Sequence, residues 1–258
     1  MKPLIDSLPP GARVLDLGAR YGSFSTDRAD ILVVRLDLDV PEIRGAGHYV
    51  SGDAARIPFA SGSFDAIIGN HSLEHFVDFE ATVREIGRVI KSDGSLFVAV
   101  PDASTLSDRI YRWMGRGGGH VNAFRSPADI IGPIERLTGL RHQSTTALTA
   151  SLSFLNAHTF TARPPRKIVL FAFGNETFLA LLNYLLRRID LAFGSRLSVY
   201  GWAFYFGAFA PPEQPPWINV CVRCGSGASE EYLRDTAEIR SGCYQCPGCG
   251  GFNLLCSK

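Results

Sequence analysis

The first 220 of the 258 residues contain no cysteine. Nothing in that stretch can rest on disulfides or thiolate ligands. No uninterrupted apolar run approaches the ~18 residues that a membrane-spanning helix needs, so none is expected. The opening MKPLIDSLPPGARVLDLG has one lysine and no long apolar region, so it does not read as a signal peptide. Charge of one sign is also missing, since 26 basic and 25 acidic residues leave a net charge of +1. The molecule as a whole therefore has no field to steer it toward nucleic acid or acidic polymers. There is no internal repeat and no low-complexity tract. These absences lead to the expectation of a cytoplasmic protein.

What is present is ordinary for a globular chain: 46% apolar and 20% charged residues, at a length that allows one sizeable core and a small appendage. Short β-branched runs at 12–17, 31–37, 64–69 and 95–100 read as buried parallel strands, with a weaker one at 48–50. The segment 78–90 places Phe79, Val83, Ile86, Val89 and Ile90 at helical spacing and stops at Ser92-Asp93-Gly94. Strand, helix, strand predicts an α/β fold, a doubly wound and mostly parallel sheet. About eight residues separate Gly22 from Ile31, so the first helix is expected to shrink to roughly two turns. Further on, helices are expected at 104–115 and from Ser126-Pro127 to Leu137, and strands at 140–148 and 198–206.

The stretch VLDLGARYGSFS, Val14 to Ser25, has the form of a strand entering a cofactor turn. Gly18 and Gly22 are in place, but Arg20 stands where a middle glycine is usual. Free N–H groups after such a turn suit an anion, phosphate or carboxylate. Asp37 ends the second strand, nineteen residues after Gly18, where an acid can accept both hydroxyls of a ribose.

Residues 51–102, SGDAARIPFASGSFDAIIGNHSLEHFVDFEATVREIGRVIKSDGSLFVAVPD, go further. They carry a GDA-x-x-IPF-x-x-x-SFD segment, an LEH helix start and a REI-x-RV-IK-x-x-G helix. Over roughly residues 12–148 the chain resembles the class I S-adenosylmethionine-dependent methyltransferases, in particular their small-molecule branch. The resemblance implies a Rossmann-like methyltransferase domain with S-adenosylmethionine as cofactor. By position it assigns Asp16, Gly18 and Gly22, with Ala19, Arg20 and Tyr21 between them, to the methionine end. Asp37 and Leu38 fall to the ribose, Asp53 and Ala54 to the adenine, and Asn70 to the sulfonium side. A carboxylate ligand is smaller than a diphosphate, so an arginine is tolerable at position 20, pointing outward or pairing with that carboxylate.

Methyl transfer asks little of side chains beyond alignment, but a hydroxyl acceptor benefits from a base with pKa near 7. His71, one residue beyond Asn70, and His120, after the triglycine 117–119, are the candidates. Each also has a plain alternative as a surface or capping histidine. Glu74 and His75 open a helix, where packing and end-charge compensation explain them.

About fifty residues between the last two strands include a helix at 175–192 whose residues up to Leu185 are apolar nearly all round, followed by the basic pair Arg187 and Arg188. A cap-like insertion at about 150–197, or a homodimer contact, is the plain reading. Contact with a lipid-linked substrate or a membrane surface is the sharper one. The chain is accordingly divided into a methyltransferase domain at 1–210, a proline-rich linker at 211–216 and a cysteine module at 217–258.

All six cysteines lie between Cys221 and Cys256. Cys221-x2-Cys224 and Cys246-x2-Cys249, twenty-one residues apart and each followed by glycine, have zinc-knuckle spacing. The module resembles a zinc ribbon, in which four thiolates close a structural Zn²⁺ site and leave Cys243 and Cys256 surplus. With four basic and four acidic residues from Trp217 to Lys258, it shows no basic face, which argues against nucleic acid. After the fourth strand the chain reads Asn70-His71-Ser72-Leu73, not the (N/D)PP(Y/F) tetrapeptide of base amino-methylation. The expected acceptor is the hydroxyl of a small-molecule or glycan-type intermediate. The rival expectation is a methyltransferase-fold scaffold that binds partners through the ribbon.

Overall fold

The computed structural model describes residues 1–20, 22–24, 26–40, 42, 47–114, 119–149, 152–155, 174–211, 219–223, 227–236 and 242–255. Tyr21, Cys224, Cys256, most of the proline-rich linker and the centre of the 150–197 insertion lie outside them.

Seven strands make one sheet in the order β3-β2-β1-β4-β5-β7-β6. They are β1 (Arg13–Leu17), β2 (Leu32–Asp37), β3 (His48–Ser51), β4 (Phe64–Asn70), β5 (Ile90–Pro101), β6 (His142–Thr149) and β7 (Val199–Gly207). The first five pair in parallel, with Leu15 opposite Val34 on one side and Ile67 on the other. Gly207 and Ala208, at the end of β7, bond to Arg141 and Gly94, just before β6 and at the start of β5, so β7 runs against both neighbours. The order reverses beside β1, which puts a crevice at the carboxyl ends of β1, β2 and β4.

The expected strands all form. β5 starts five residues early, at Ile90, because the chain leaving α2 (Phe79–Val89) pairs at once with Phe64. In α2 the Asp78 carboxylate accepts from Ala81 N–H, while Val83, Ile86 and Val89 bury one face. α4 (Ala128–Thr138) ends on Gly139 in the left-handed conformation, as its sequence indicates. A short helix α1 (Lys2–Ser7), not anticipated, precedes β1. The carbonyls of its Ile5 and Asp6, and of Leu8 just beyond it, accept from the Arg28 guanidinium.

One expectation fails. The described residues between Gly22 and Asp30 contain no helix. Two turns cost nearly a full nucleation for few hydrogen bonds. Here the backbone groups find side-chain partners instead: Ser23 N–H donates to Asp16, and Phe24 C=O accepts from Arg35. The LEH start likewise forms one 3₁₀ turn, Leu73–His75, and stops.

The chain separates into two compact units. The first comprises Met1–Asp102, His120–Thr146 and Trp202–Pro212. Its core runs from Leu15 and Leu36 through Ile67 and Val98 to Phe204. The second comprises Ala103–Gly119, Ala147–Gly201 and Glu213–Lys258. The insertion and the cysteine module, placed in different domains by the sequence division, thus share one unit. Within it lie α3 (Leu106–Met114), α5 (Glu176–Phe193), α6 (Glu230–Thr236) and the antiparallel pair β8 (Cys243–Gln245) and β9 (Phe252–Leu254). Leu179 and Ala180 of α5 pack with Val222, Phe252 and Leu254, so the cysteine module shares its core with the helix. Among the described residues no helix is long and apolar enough to cross a membrane.

Candidate functional site: a cleft at the carboxyl ends of β1, β2 and β4

The turn after β1 folds back onto β2. Gly18 and Ala19 both donate to Leu36 C=O, and Gly22 N–H closes the turn on Ala19 C=O. Gly18 has φ 69°, and a Cβ there would stand 2.6 Å from that of Ser72, so the position takes only glycine. Arg20 has φ 36°, a left-handed conformation a glycine would enter freely. Its N–H donates to Asp37 Oδ2 at 2.8 Å, and Asp39 N–H donates to Oδ1 at 3.1 Å. The departure from glycine is therefore accommodated by backbone strain and fastened to the strand-end acid.

Beneath the turn is a group that sequence reasoning missed. Arg35, at 5% exposure, donates from Nη1 to Asp16 Oδ2 at 2.5 Å and from Nη2 to Phe24 C=O at 2.8 Å. Its guanidinium lies over the rings of Phe24 and Tyr49. A Cβ on Gly22 would collide with Arg35 Nη1, so glycine is required there by the arginine below. Burial pushes the Asp16 carboxyl above its ordinary value, opposed by the Ser23 bonds and by Arg35. Asp16 is fully buried and does not line the cleft. The clue was a lone arginine inside the apolar run ILVVRLD.

A cleft of about 810 Å³ opens above this turn. Gly18, Arg20, Asp37, Leu38, Asp53, Ala54 and His71 of the expected residues line it. Ala19, Gly22, Asn70 and His120 do not, and Tyr21 lies outside the described residues. Leu38 and Val77 are 71% and 90% exposed, and both stand on its rim. Asp53 Oδ1 accepts from Ala55 N–H and so stiffens the loop. That loop is fixed from α2: Glu85 accepts from Ile57 N–H, and Arg88 donates to the carbonyls of Ile57 and Phe59 while holding Glu85 at 2.7 Å. The Arg88 hydrogen bonds hold the Glu85 carboxyl below its ordinary value against a smaller upward push from desolvation, with the Ile57 amide helping.

Both candidate histidines meet at Glu74. His71 has φ 52°, rare for a non-glycine residue and typical of strained functional positions. The Glu74 carboxylate is buried, with His71 Nδ1 at 3.7 Å, His75 Nε2 at 3.9 Å and His120 Nε2 at 4.0 Å from Oε1. Glu74 thus stands among three histidines, a grouping in addition to its place at the 3₁₀ turn. The sequence hides this because His120 lies forty-six residues further on.

In the other unit the sulfurs of Cys221, Cys246 and Cys249 lie within 4.8 Å of one another. Arg223 N–H points at Cys221 Sγ and Gly248 N–H at Cys246 Sγ, two residues after each cysteine, as in metal knuckles. Arg223 also bridges Cys249 C=O to the Glu176 carboxylate at the start of α5. Cys243, on β8, is not among the three, and Cys224 lies outside the described residues.

Residues 15–98 match the family described as methyltransferase domain. A demethylmenaquinone methyltransferase of Corynebacterium urealyticum is 35% identical over 98 residues, covering 36% of this chain and 43% of the relative. The chain thus spans less than half the length of that relative. A malonyl-[acyl-carrier protein] O-methyltransferase of Methylococcus capsulatus is 27% identical over 212 residues, covering 72% of each chain. Among solved structures, an S-adenosylmethionine-dependent methyltransferase from Archaeoglobus fulgidus aligns with TM-score 0.54 at 16% identity, over 80% of this chain and 90% of that one. The sheet order and the cleft at its reversal agree with the methyltransferase domain that residues 15–98 match.

Proposed function

We propose that the chain methylates an oxygen acceptor, using S-adenosylmethionine bound in the β1–β2–β4 cleft. The observation that carries this is the convergence of Gly18, Asp37, Asp53 and Ala54 on one cleft. The volume suits a ligand of this size. The turn after β1 would receive the methionine carboxylate, Asp37 the ribose hydroxyls, and Asp53, Ala54, Leu38 and Val77 the adenine. When bound, the cofactor supplies a methyl group already activated on a sulfonium. His71, on the cleft wall, would take the acceptor hydroxyl's proton, with the Glu74 carboxylate behind it. The name of the Methylococcus relative supports an oxygen acceptor. A small-molecule or glycan-type intermediate remains our reading of the substrate.

In the second unit we propose that Cys221, Cys224, Cys246 and Cys249 hold one structural Zn²⁺. Three sulfurs already gathered on amide-lined turns support it. Leu181, Leu185, Ile189 and Phe193 are exposed at successive turns of α5. They suit a lipid-linked acceptor or peripheral membrane contact by a cytoplasmic protein, with a homodimer face as the alternative.

A scaffold without activity is favoured by one observation: both Asp37 oxygens already accept backbone amides. Calorimetric titration with S-adenosylmethionine separates the two. The wild-type chain should bind, and Asp37→Ala should weaken binding by about 2 kcal/mol or more. A wild-type chain that takes up no cofactor is a scaffold.

A further inference from the structure

We propose that Glu74, His75 and His120 form a binding site for a first-row divalent cation in the wall of the cleft. Two histidine nitrogens and one carboxylate are a donor set that leaves coordination positions open. The three ligand atoms lie within 4.8 Å of one another. The 3.9 and 4.0 Å separations from Glu74 Oε1 are too long for hydrogen bonds. Ligands about 2.1 Å from a tetrahedral ion stand about 3.4 Å apart, so closing on one needs shifts of roughly half an ångström.

A second observation points to a cation. Glu74 is buried, and among the described residues nothing hydrogen-bonds its Oε2. A buried carboxylate left this way is costly unless positive charge joins it. Among the described residues the basic groups within 4.0 Å are His71, His75 and His120. Imidazoles can supply that charge as protonated groups, or stay neutral and share a metal ion with the carboxylate.

The site is built rigidly. Val121 and Asn122 both donate N–H to Glu74 C=O, and Asn122 Nδ2 donates to the carbonyls of Leu73 and Phe76. The segment bearing His120 is thereby clamped onto the turn bearing Glu74 and His75. The rings of His75 and His120 meet edge to face at 4.8 Å. His75 also lines the cleft, which gives the ion a route to an acceptor oxygen. Ion binding stands on its own; only this consequence for the acceptor rests on the proposed methyl transfer.

Cobalt(II) titration of the full chain, stripped with chelator, tests the site, because bound thiolates add a near-ultraviolet charge-transfer band that imidazole and carboxylate do not. The wild type should bind one Co²⁺ with visible ligand-field absorption and no sulfur band, besides any bound by the cysteines. Glu74→Gln and His120→Ala should each weaken that population by at least about a hundredfold, beyond the effect of losing a mere supporting partner. The sulfur band and S-adenosylmethionine affinity should persist in both. A wild-type chain whose bound cobalt all carries the sulfur band overturns the site, whether or not the variants fold. So does a Glu74→Gln variant that binds as tightly as wild type. Absent S-adenosylmethionine binding with the cobalt site intact overturns the cofactor reading alone.

Discussion

The two sides of the cleft are held in opposite ways. Residues 51–102 are braced from the side: the loop with Asp53 and Ala54 is tied by Glu85 and Arg88 to a regular helix, and each bond has a neighbour to share its load. Residues 18–37 are braced from below. No helix backs the turn among the described residues; beside its backbone bonds to Leu36 and Asp37, its buried side-chain support converges on the Arg35 guanidinium. The comparison teaches that a cofactor turn can dispense with the helix behind it if a buried ion pair takes over the backbone and side-chain groups left open. The redundant side should tolerate single changes, and the concentrated side should not.

The strongest way to break this contrast is Arg35→Met. It leaves Asp16 buried without its cation, which should cost about 3–5 kcal/mol in denaturant unfolding. The deficit should also be smaller at acid pH. Burial already raises Asp16 in the folded protein, so the folded form accepts the proton before the unfolded one does. Its relative stability is then greatest below the ordinary carboxyl value of 3.8 and is lost as pH rises through the folded value. A variant as stable as wild type at neutral pH would show that the turn has other support.

Glu85→Gln probes the braced side and should do less, about 1 kcal/mol, because Arg88 is partly solvated and its two bonds to the loop carbonyls remain. Here the sign is reversed. The Glu85 carboxyl is depressed in the folded state, so its stabilisation is complete above its ordinary 4.5 and disappears as pH falls through the folded value. Acid titration followed by hydrogen exchange at residues 53–59 should therefore separate wild type from the variant only above that range. A loss as large as that of Arg35→Met would erase the distinction between the two sides.

The smallest effect, and the sharpest, is at Arg20. Replacing it with glycine relieves a left-handed conformation worth about 1–2 kcal/mol but adds freedom to the unfolded chain worth about 0.4–1 kcal/mol. A net gain of roughly 0.5 kcal/mol is expected from those two. The Asp37 bond comes from the backbone N–H and should survive, so cofactor affinity should stay level. Weaker affinity would mean that the Arg20 side chain itself holds ligand.

The sequence showed one kind of feature well and another poorly. β1, β2, β4 and α2 were legible because each is a local pattern: β-branched runs, or Val83, Ile86 and Val89 at helical spacing. Asp37, Asp53 and His71 were legible because they sit at fixed distances from such patterns and reach the cleft. Arg35 was not, since a charge inside a strand means nothing until its partner across the sheet is known. Glu74 and His120 were each visible as residues but not as a pair, because their meeting depends on a loop closure that leaves no periodic trace. The shared core of α5 and the cysteine module was hidden for a third reason. A helix apolar nearly all round does not say which of its faces is covered, and Leu179 and Ala180 chose Val222.

The close approach of Gly22 to Arg35 has an evolutionary consequence. A side chain at position 22 displaces the guanidinium, and loss of the guanidinium strands Asp16, so each single change is harmful while the other residue is intact. Once Asp16 and Arg35 have both become apolar, that clash is gone, and only the φ of 102° still favours glycine at 22. The three positions therefore change in a preferred order, charge first and glycine last. A lineage that had kept the Asp16–Arg35 pair would therefore also carry Gly22, while Gly22 can outlast the pair.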